Sequence, residues 1–262
     1  MFKKIIFFLL LVPLIIYFPG CGSALKYTVD GTIKYKSFLY LTKILTIKKC
    51  GADSCEKPIN LRSSASGYIV KIVREGAYIM TAAHVCDDSA DSMRVAGPKK
   101  ISSKYFVYNS VGKKYRATVL AYDNKIDACM LYVQNLTENV EAVVISSIAP
   151  VPGDKVFNVA APYGIWKPGI TPLLEGRYNG EDDNVAAYTL SAAPGSSGSM
   201  ILNERGELIG MLHSVFVRFP HISLSVRYYD LKNFINHNLH KYMLYKNVMQ
   251  LLNLKDIFAP YP

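Results

Sequence analysis

From Gly67 onward the chain is a succession of short β-rich runs punctuated by turn residues, and this constrains its fold more than any other feature. Tyr68–Val73 and Tyr78–Thr81 are joined by Arg74-Glu75-Gly76-Ala77, a hairpin-like connection; Tyr105–Tyr108, Tyr115–Tyr122 and Ala128–Val133 follow. Short runs rich in Val, Ile, Tyr and Phe, bounded by Gly, Asn and Asp, read as strands of an antiparallel sheet or barrel. The stretch 138–152 reads as a linker, with Pro150 and Pro152 flanking a boundary. A second series then begins with Lys155–Ala161, Ile170–Tyr178 and Val185–Leu190, and continues with Met200–Asn203, Leu208–Phe216 and Ile222–Val226. Gly206 marks the tight turn before Leu208, and no sequence repeat relates the two series.

Near the end the period changes. Leu231, Phe234, Ile235, Leu239, Tyr242 and Met243 largely follow helical spacing, with Asp230 near the start. This predicts an amphipathic helix over 228–254 that caps a lobe. Residues 25–60 are mixed and Lys-rich and read as an N-terminal extension, with Phe38–Ile47 a possible strand or packing segment. With 262 residues, half of them apolar, and 19 tyrosines, the chain can bury a substantial core.

The first residues have the layout of an export signal. Lys3 and Lys4 precede the almost uninterrupted apolar run 5–18, and Gly20-Cys21-Gly22-Ser23-Ala24 follows. The run is shorter than a comfortable membrane span, about 20 residues. Cleavage after Ala24 releases a soluble chain; cleavage before Cys21 leaves a lipid-modified N-terminus; an uncleaved signal is a third route to the membrane. Phe18-Pro19-Gly20-Cys21 resembles a bacterial lipoprotein box loosely, Phe and Pro being poor matches at its first two positions. Location is therefore expected to be exported: periplasmic, secreted or membrane-anchored. The net charge of +10 fits a Lys-rich soluble surface, and no arginine-rich run or other nucleic-acid motif accompanies it.

Four further cysteines fit an exported chain. Cys50 and Cys55 bracket Gly51-Ala52-Asp53-Ser54, a loop that a local disulfide can close. Cys86 lies two residues after His84, and Cys129 two after Asp127, so these sulfurs approach each other if His84 and Asp127 do. Four cysteines allow three connectivities, and in a reducing compartment all four would be small buried hydrophobes.

Chemistry concentrates in three fragments: Thr81-Ala82-Ala83-His84, Ile126-Asp127-Ala128 and Pro194-Gly195-Ser196-Ser197-Gly198-Ser199. A serine hydroxyl is a weak nucleophile at neutral pH and needs a base and an oxyanion site. Taken singly, the histidine reads as a satisfied buried side chain, the aspartate as a strand start and the Gly/Ser run as a flexible turn. Together, in the order His…Asp…Ser and each at a strand edge, they read as a catalytic site.

In these fragments, and in the strand Leu208–Phe216 that follows them, the chain resembles the chymotrypsin-like serine peptidases, especially the trypsin-like endopeptidases of bacteria and their viruses. The resemblance covers about residues 63–236. It implies an all-β fold of two antiparallel six-stranded β-barrels, the first over 61–137 and the second over 153–227, with the peptidase domain as a whole spanning 61–262. It further implies Ser197 as nucleophile, His84 as general base, Asp127 as its orienter, and the N–H groups of Gly195 and Ser197 as the oxyanion hole. The expected partner is a protein or peptide substrate, and no cofactor is implied.

Ser196 stands where trypsin carries the acid that pairs with a new N-terminus, so that activation switch is not expected. Ser191, six residues before Ser197, falls at the floor of the primary pocket, which therefore offers Lys or Arg no counter-charge. His213 and Val215 are expected on a pocket wall, with His221 on the neighbouring strand. Gly210-Met211-Leu212-His213 matches Glu- and Gln-selecting relatives with a displacement of one residue, and a one-residue slip turns a side chain to the other face. A small or apolar pocket is the competing expectation. No metal constellation stands out; Glu181-Asp182-Asp183 reads as a solvated turn. Asn135-Leu136-Thr137 is a glycosylation sequon that matters only in a eukaryotic host. Substrate choice is expected to come from the cleft or from location, since little chain follows residue 255. The competing functions are a peptide-binding protein that has lost turnover, and a serine esterase. The order of the three residues disfavours an α/β-hydrolase.

Overall fold

The computed structural model describes residues 33–51, 54–89, 99–216, 219 and 221–251, and of residues 249–251 only the backbone. The signal segment, Cys21 and the helix residues expected at 252–254 lie outside them. The strands are β1 (Phe38–Lys49), β2 (Ile59–Val73), β3 (Gly76–Thr81), β4 (Lys99–Tyr108), β5 (Lys114–Asp123) and β6 (Ala128–Gln134), then β7 (Lys155–Val159), β8 (Leu173–Glu181), β9 (Ala186–Tyr188), β10 (Ser199–Leu202), β11 (Leu208–Val215) and β12 (Ser223–Val226). A short helix α1 (Ala83–Cys86) follows β3, and α2 (Tyr228–Leu251) ends the fold. Pairing between these strands is antiparallel and closes two six-stranded barrels, β1-β2-β3-β6-β5-β4 and β10-β11-β12-β9-β8-β7.

Strand periodicity explains the layout. Successive side chains of a strand point to opposite faces, and β3, β6 and β10 are buried on both. Ala77, Ile79, Leu131 and Val133 fill the first barrel with Leu39, Leu41 and Ile69. Their neighbours Tyr78, Met80, Met130 and Tyr132 face outward, yet they are covered too, because they join Phe157, Val159, Met200 and Met211 in a core between the barrels. A separate core of Val156, Tyr178, Tyr188, Ile201, Ile209 and Leu212 fills the second barrel.

Two sequence expectations change. The segment 25–60 is not wholly an extension: β1 lies within it and pairs with both β2 and β4, so the first barrel begins at Phe38 instead of residue 61. Lys43 breaks the apolar pattern of β1, yet it is buried and ion-paired to Asp88 at 2.7 Å. The helix α2 does not cap one lobe. Leu231 and Ile235 pack into the core between the barrels, the Tyr228 hydroxyl donates to the Ser146 carbonyl in the connecting segment, and Tyr242 donates to the Leu120 carbonyl of β5. It is a strut across the seam.

Candidate active site

The Thr81-Ala82-Ala83-His84 fragment leaves the end of β3 and turns at once into α1, which aims the half-exposed His84 ring at the β5–β6 turn. Asp127 sits in that turn at φ 55°, in the left-handed region, a strained backbone for a non-glycine residue. Its carboxylate grips His84 twice. The backbone N–H of His84 donates to Oδ1 at 2.9 Å, and ring Nδ1 lies 2.8 Å from Oδ2. An ionised carboxylate only accepts, so Nδ1 carries the proton and Nε2 is left with a free lone pair. Burial alone would raise the Asp127 carboxyl, but the His84 hydrogen bonds and charge, with His213 behind them, outweigh it and hold the group below the usual carboxylate range.

The Pro194–Ser199 turn is fastened from both barrels. Gly195 and Gly198 have φ of 101° and 82°, values open to glycine. A Cβ on Gly198 would stand 2.3 Å from Thr81 Oγ1 and 2.8 Å from Ala82 N, so the turn packs directly on the strand end that carries His84. Between these glycines Ser197 is partly exposed. Among the described residues, the N–H groups of Gly195 and Ser197 meet no acceptor, whereas those of Ser196, Gly198 and Ser199 donate to Ala193, Leu212 and Ser196. No hydrogen bond joins the Ser197 hydroxyl to His84; such bonds are often long before substrate arrives.

The fastening residue, Ser66, was missed by sequence reasoning. It is fully buried on β2. Its N–H donates to the Ser197 carbonyl at 2.9 Å, its hydroxyl donates to the Gly195 carbonyl at 2.8 Å and accepts from the Ala161 N–H at 3.0 Å, and its carbonyl accepts from Thr81 Oγ1 at 2.8 Å. In the sequence it lies within Ser63-Ser64-Ala65-Ser66-Gly67, just ahead of the apolar run that begins at Tyr68. Asn158 has a similar hidden role, its side-chain amide donating to Ser199 Oγ at 2.8 Å.

Of the residues expected in the pocket, Ser191 and His221 meet, Oγ to Nδ1 at 3.1 Å, with Phe219 edge-on to the imidazole. Val215 ends β11 opposite Ser223, whose hydroxyl anchors the Leu190 carbonyl beside Ser191. His213 departs from expectation. Leu212 pairs with Ser225 and Ser214 with Leu224, so His213 is the extra residue of a bulge. The bulge turns it from the pocket wall to Asp127, with Nδ1 3.7 Å from Oδ2.

Both expected cysteine pairs stand at bonding distance, Cys50–Cys55 at 2.09 Å and Cys86–Cys129 at 1.99 Å. Asp182 accepts hydrogen bonds from the backbone of Asn184 and Val185, and the described residues hold no cluster of three or more metal-ligating side chains.

Comparison with known proteins agrees with this fold. The serine protease Do-like HtrA of Lactococcus lactis subsp. cremoris is 27% identical over 176 residues, 63% of this chain and 40% of that protein. A probable serine protease do-like of Buchnera aphidicola is 24% identical over 164 residues, 61% of this chain and 31% of that protein. The chain thus spans well under half the length of these relatives. The serine endoprotease structure from Yersinia pestis superposes with a TM-score of 0.59 at 18% identity, over 82% of this chain and 66% of that one, and so shares the fold. The profile of the trypsin-like peptidase domain matches residues 65–211, from β2 in the first barrel to β11 in the second; with more than half of its length in that match, the chain belongs to this family.

Proposed function

We propose that this chain is an exported serine endopeptidase that cuts peptide bonds through a Ser197/His84/Asp127 triad and an acyl-enzyme intermediate. The observation that carries this reading is the double grip of Asp127 on His84, which leaves Nε2 free to take a proton. As Ser197 Oγ bonds to the scissile carbonyl carbon, its proton passes to Nε2, and the carbonyl oxygen gathers negative charge at the N–H groups of Gly195 and Ser197. Collapse breaks the C–N bond, and the leaving amine takes the proton from His84. Water then attacks the ester through the same base and frees Ser197. Asp127 stays ionised throughout and balances the imidazolium. Removal of one oxyanion donor from such a site raises the barrier by about 3–4 kcal/mol.

Specificity follows from the Ser191–His221 pair. The floor it forms is polar, carries no acid, and gives a basic side chain no partner. Ser191→Asp is therefore expected to raise kcat/KM for Lys or Arg next to the cut bond about tenfold or more relative to other residues, measured with a peptide library. An unchanged preference would remove Ser191 from the pocket. The two cysteine pairs and the apolar N-terminal run support an oxidising, exported location. None of the described helices is long and apolar enough to cross a membrane.

A fluorophosphonate probe tests the catalytic reading. The folded wild type is expected to be labelled, Ser197→Ala to lose labelling entirely, and His84→Ala to be labelled far more slowly. A folded wild type that neither reacts nor cleaves a peptide library would leave the fold without this activity.

A further inference from the structure

His213 has no part in the reaction as described above, yet it faces the carboxylate on which that reaction depends. Its ring lies 3.7 Å from Asp127 Oδ2, the same oxygen that receives the His84 Nδ1 proton at 2.8 Å. The longer distance is outside hydrogen-bond range, so neutral His213 leaves this oxygen to His84. The side chain is 13% exposed, and it is aimed at Asp127 by the one bulge between β11 and β12.

We propose that His213 is a second imidazole facing Asp127, and that taking up a proton on it shuts the site off. The proposal rests on the catalytic reading above and deepens it. Charged, His213 would draw on the oxygen that orients His84. The imidazolium that forms on His84 during attack would then share one carboxylate with a second cation. Two like charges on a single counter-ion disfavour each other. The working enzyme therefore needs both neutral before substrate binds.

The surroundings support this wiring. Burial pulls the His213 imidazole below its ordinary value; Asp127 pulls it up, the His84 charge pushes it down, and a backbone hydrogen bond to Ser225 raises it, with a net lowering. The neighbouring strands β10 and β12 carry Ser, Met and aliphatic residues with no titratable group. The helix α2 also touches β11, but Asp230, Lys232, His237 and His240 on it are not among the groups that shift His213. The charges that act on His213 are thus those of Asp127 and His84.

The experiment measures the rate of labelling by a fluorophosphonate without a side chain for the primary pocket, so that His221 stays out of the readout. Rates are followed from about pH 8 to pH 5, with far-UV circular dichroism confirming the fold at each point. In wild type the logarithm of the rate should fall with a slope that steepens from one towards two, because two protons inactivate. In His213→Gln, which cannot titrate there, the rate at pH 8 should stay within about threefold of wild type and the slope should remain one. Equal slopes in the two proteins overturn the proposal. Should the variant fail to fold, the wild-type profile decides alone, and a slope of one throughout overturns it. A protein that is labelled at no pH refutes the catalytic reading instead, so the two failures are distinguishable.

Discussion

Asp127→Asn is expected to lower kcat by about 10⁴-fold while leaving KM and the fold nearly unchanged, the loss that follows when the base of a Ser-His-Asp site is held in the wrong tautomer. The double grip makes the effect hard to escape here. One carboxylate oxygen accepts from the His84 backbone N–H at 2.9 Å and the other from ring Nδ1 at 2.8 Å. An amide has one acceptor and one donor end. With its oxygen on the backbone N–H, its NH₂ faces Nδ1, which must then give up its proton to Nε2, and Nε2 can no longer accept from Ser197. With the amide reversed, its NH₂ meets the backbone N–H, donor against donor, and α1 loses its anchor. The first orientation removes the base, and the second leaves it without its backbone anchor. Active-site titration followed by steady-state kinetics gives the value, and a loss under tenfold would show that Asp127 does not set the tautomer.

The same substitution alters acid stability with a definite sign. The Asp127 carboxyl is held below its ordinary value in the folded state, so its contribution is complete above the unfolded carboxylate range, near pH 4, and is lost as pH falls through the lower folded value. The Asn variant lacks this dependence.

How far the molecule could be read from its sequence follows from which residues obey periodicity. The strands β3, β6 and β10 stood out as unbroken apolar runs because each is buried on both faces, inside a barrel and between the barrels. The strand β1 was read only as a possible strand outside the domain, since Lys43 and Thr42 interrupt it; Asp88, which neutralises that lysine, lies far along the chain. The first half of β2 is exposed and Ser-rich, which concealed Ser66, whose four hydrogen bonds have partners 15 to 131 positions distant or on the far barrel. The three fragments of the proposed triad stood out in the sequence because each is local. The orientation of His213 was legible only in part: the one-residue displacement of Gly210-Met211-Leu212-His213 pointed to a turned side chain, but nothing within Met211-Leu212-His213-Ser214 announces the bulge that turns it.

Replacing Cys86 and Cys129 together by Ala is expected to cost about 4 kcal/mol of stability, from the loop entropy of a cross-link with sequence separation 43, and to lower Tm by roughly 8–16 °C. The same change at Cys50 and Cys55, separation 5, should cost about 2 kcal/mol at the outer end of the β1–β2 hairpin. The two pairs differ in function as well as loop length. Cys86 ends α1, two residues after His84, and Cys129 lies in β6, two after Asp127, both buried. The cross-link therefore joins the helix that carries His84, the proposed base, to the strand that follows Asp127, its proposed orienter. The helix keeps other ties, among them the Tyr105 hydroxyl on the Cys86 carbonyl at 2.8 Å and Lys43 on Asp88, so the variant should fold. Its activity should nevertheless fall in kcat, because α1 has four residues and cannot hold His84 by itself. Urea titration and labelling rates, with and without a reductant, separate the two effects. Equal losses from both cysteine pairs, or unchanged kcat in the Cys86/Cys129 variant, would mean that the cross-link braces the barrel without bracing the site.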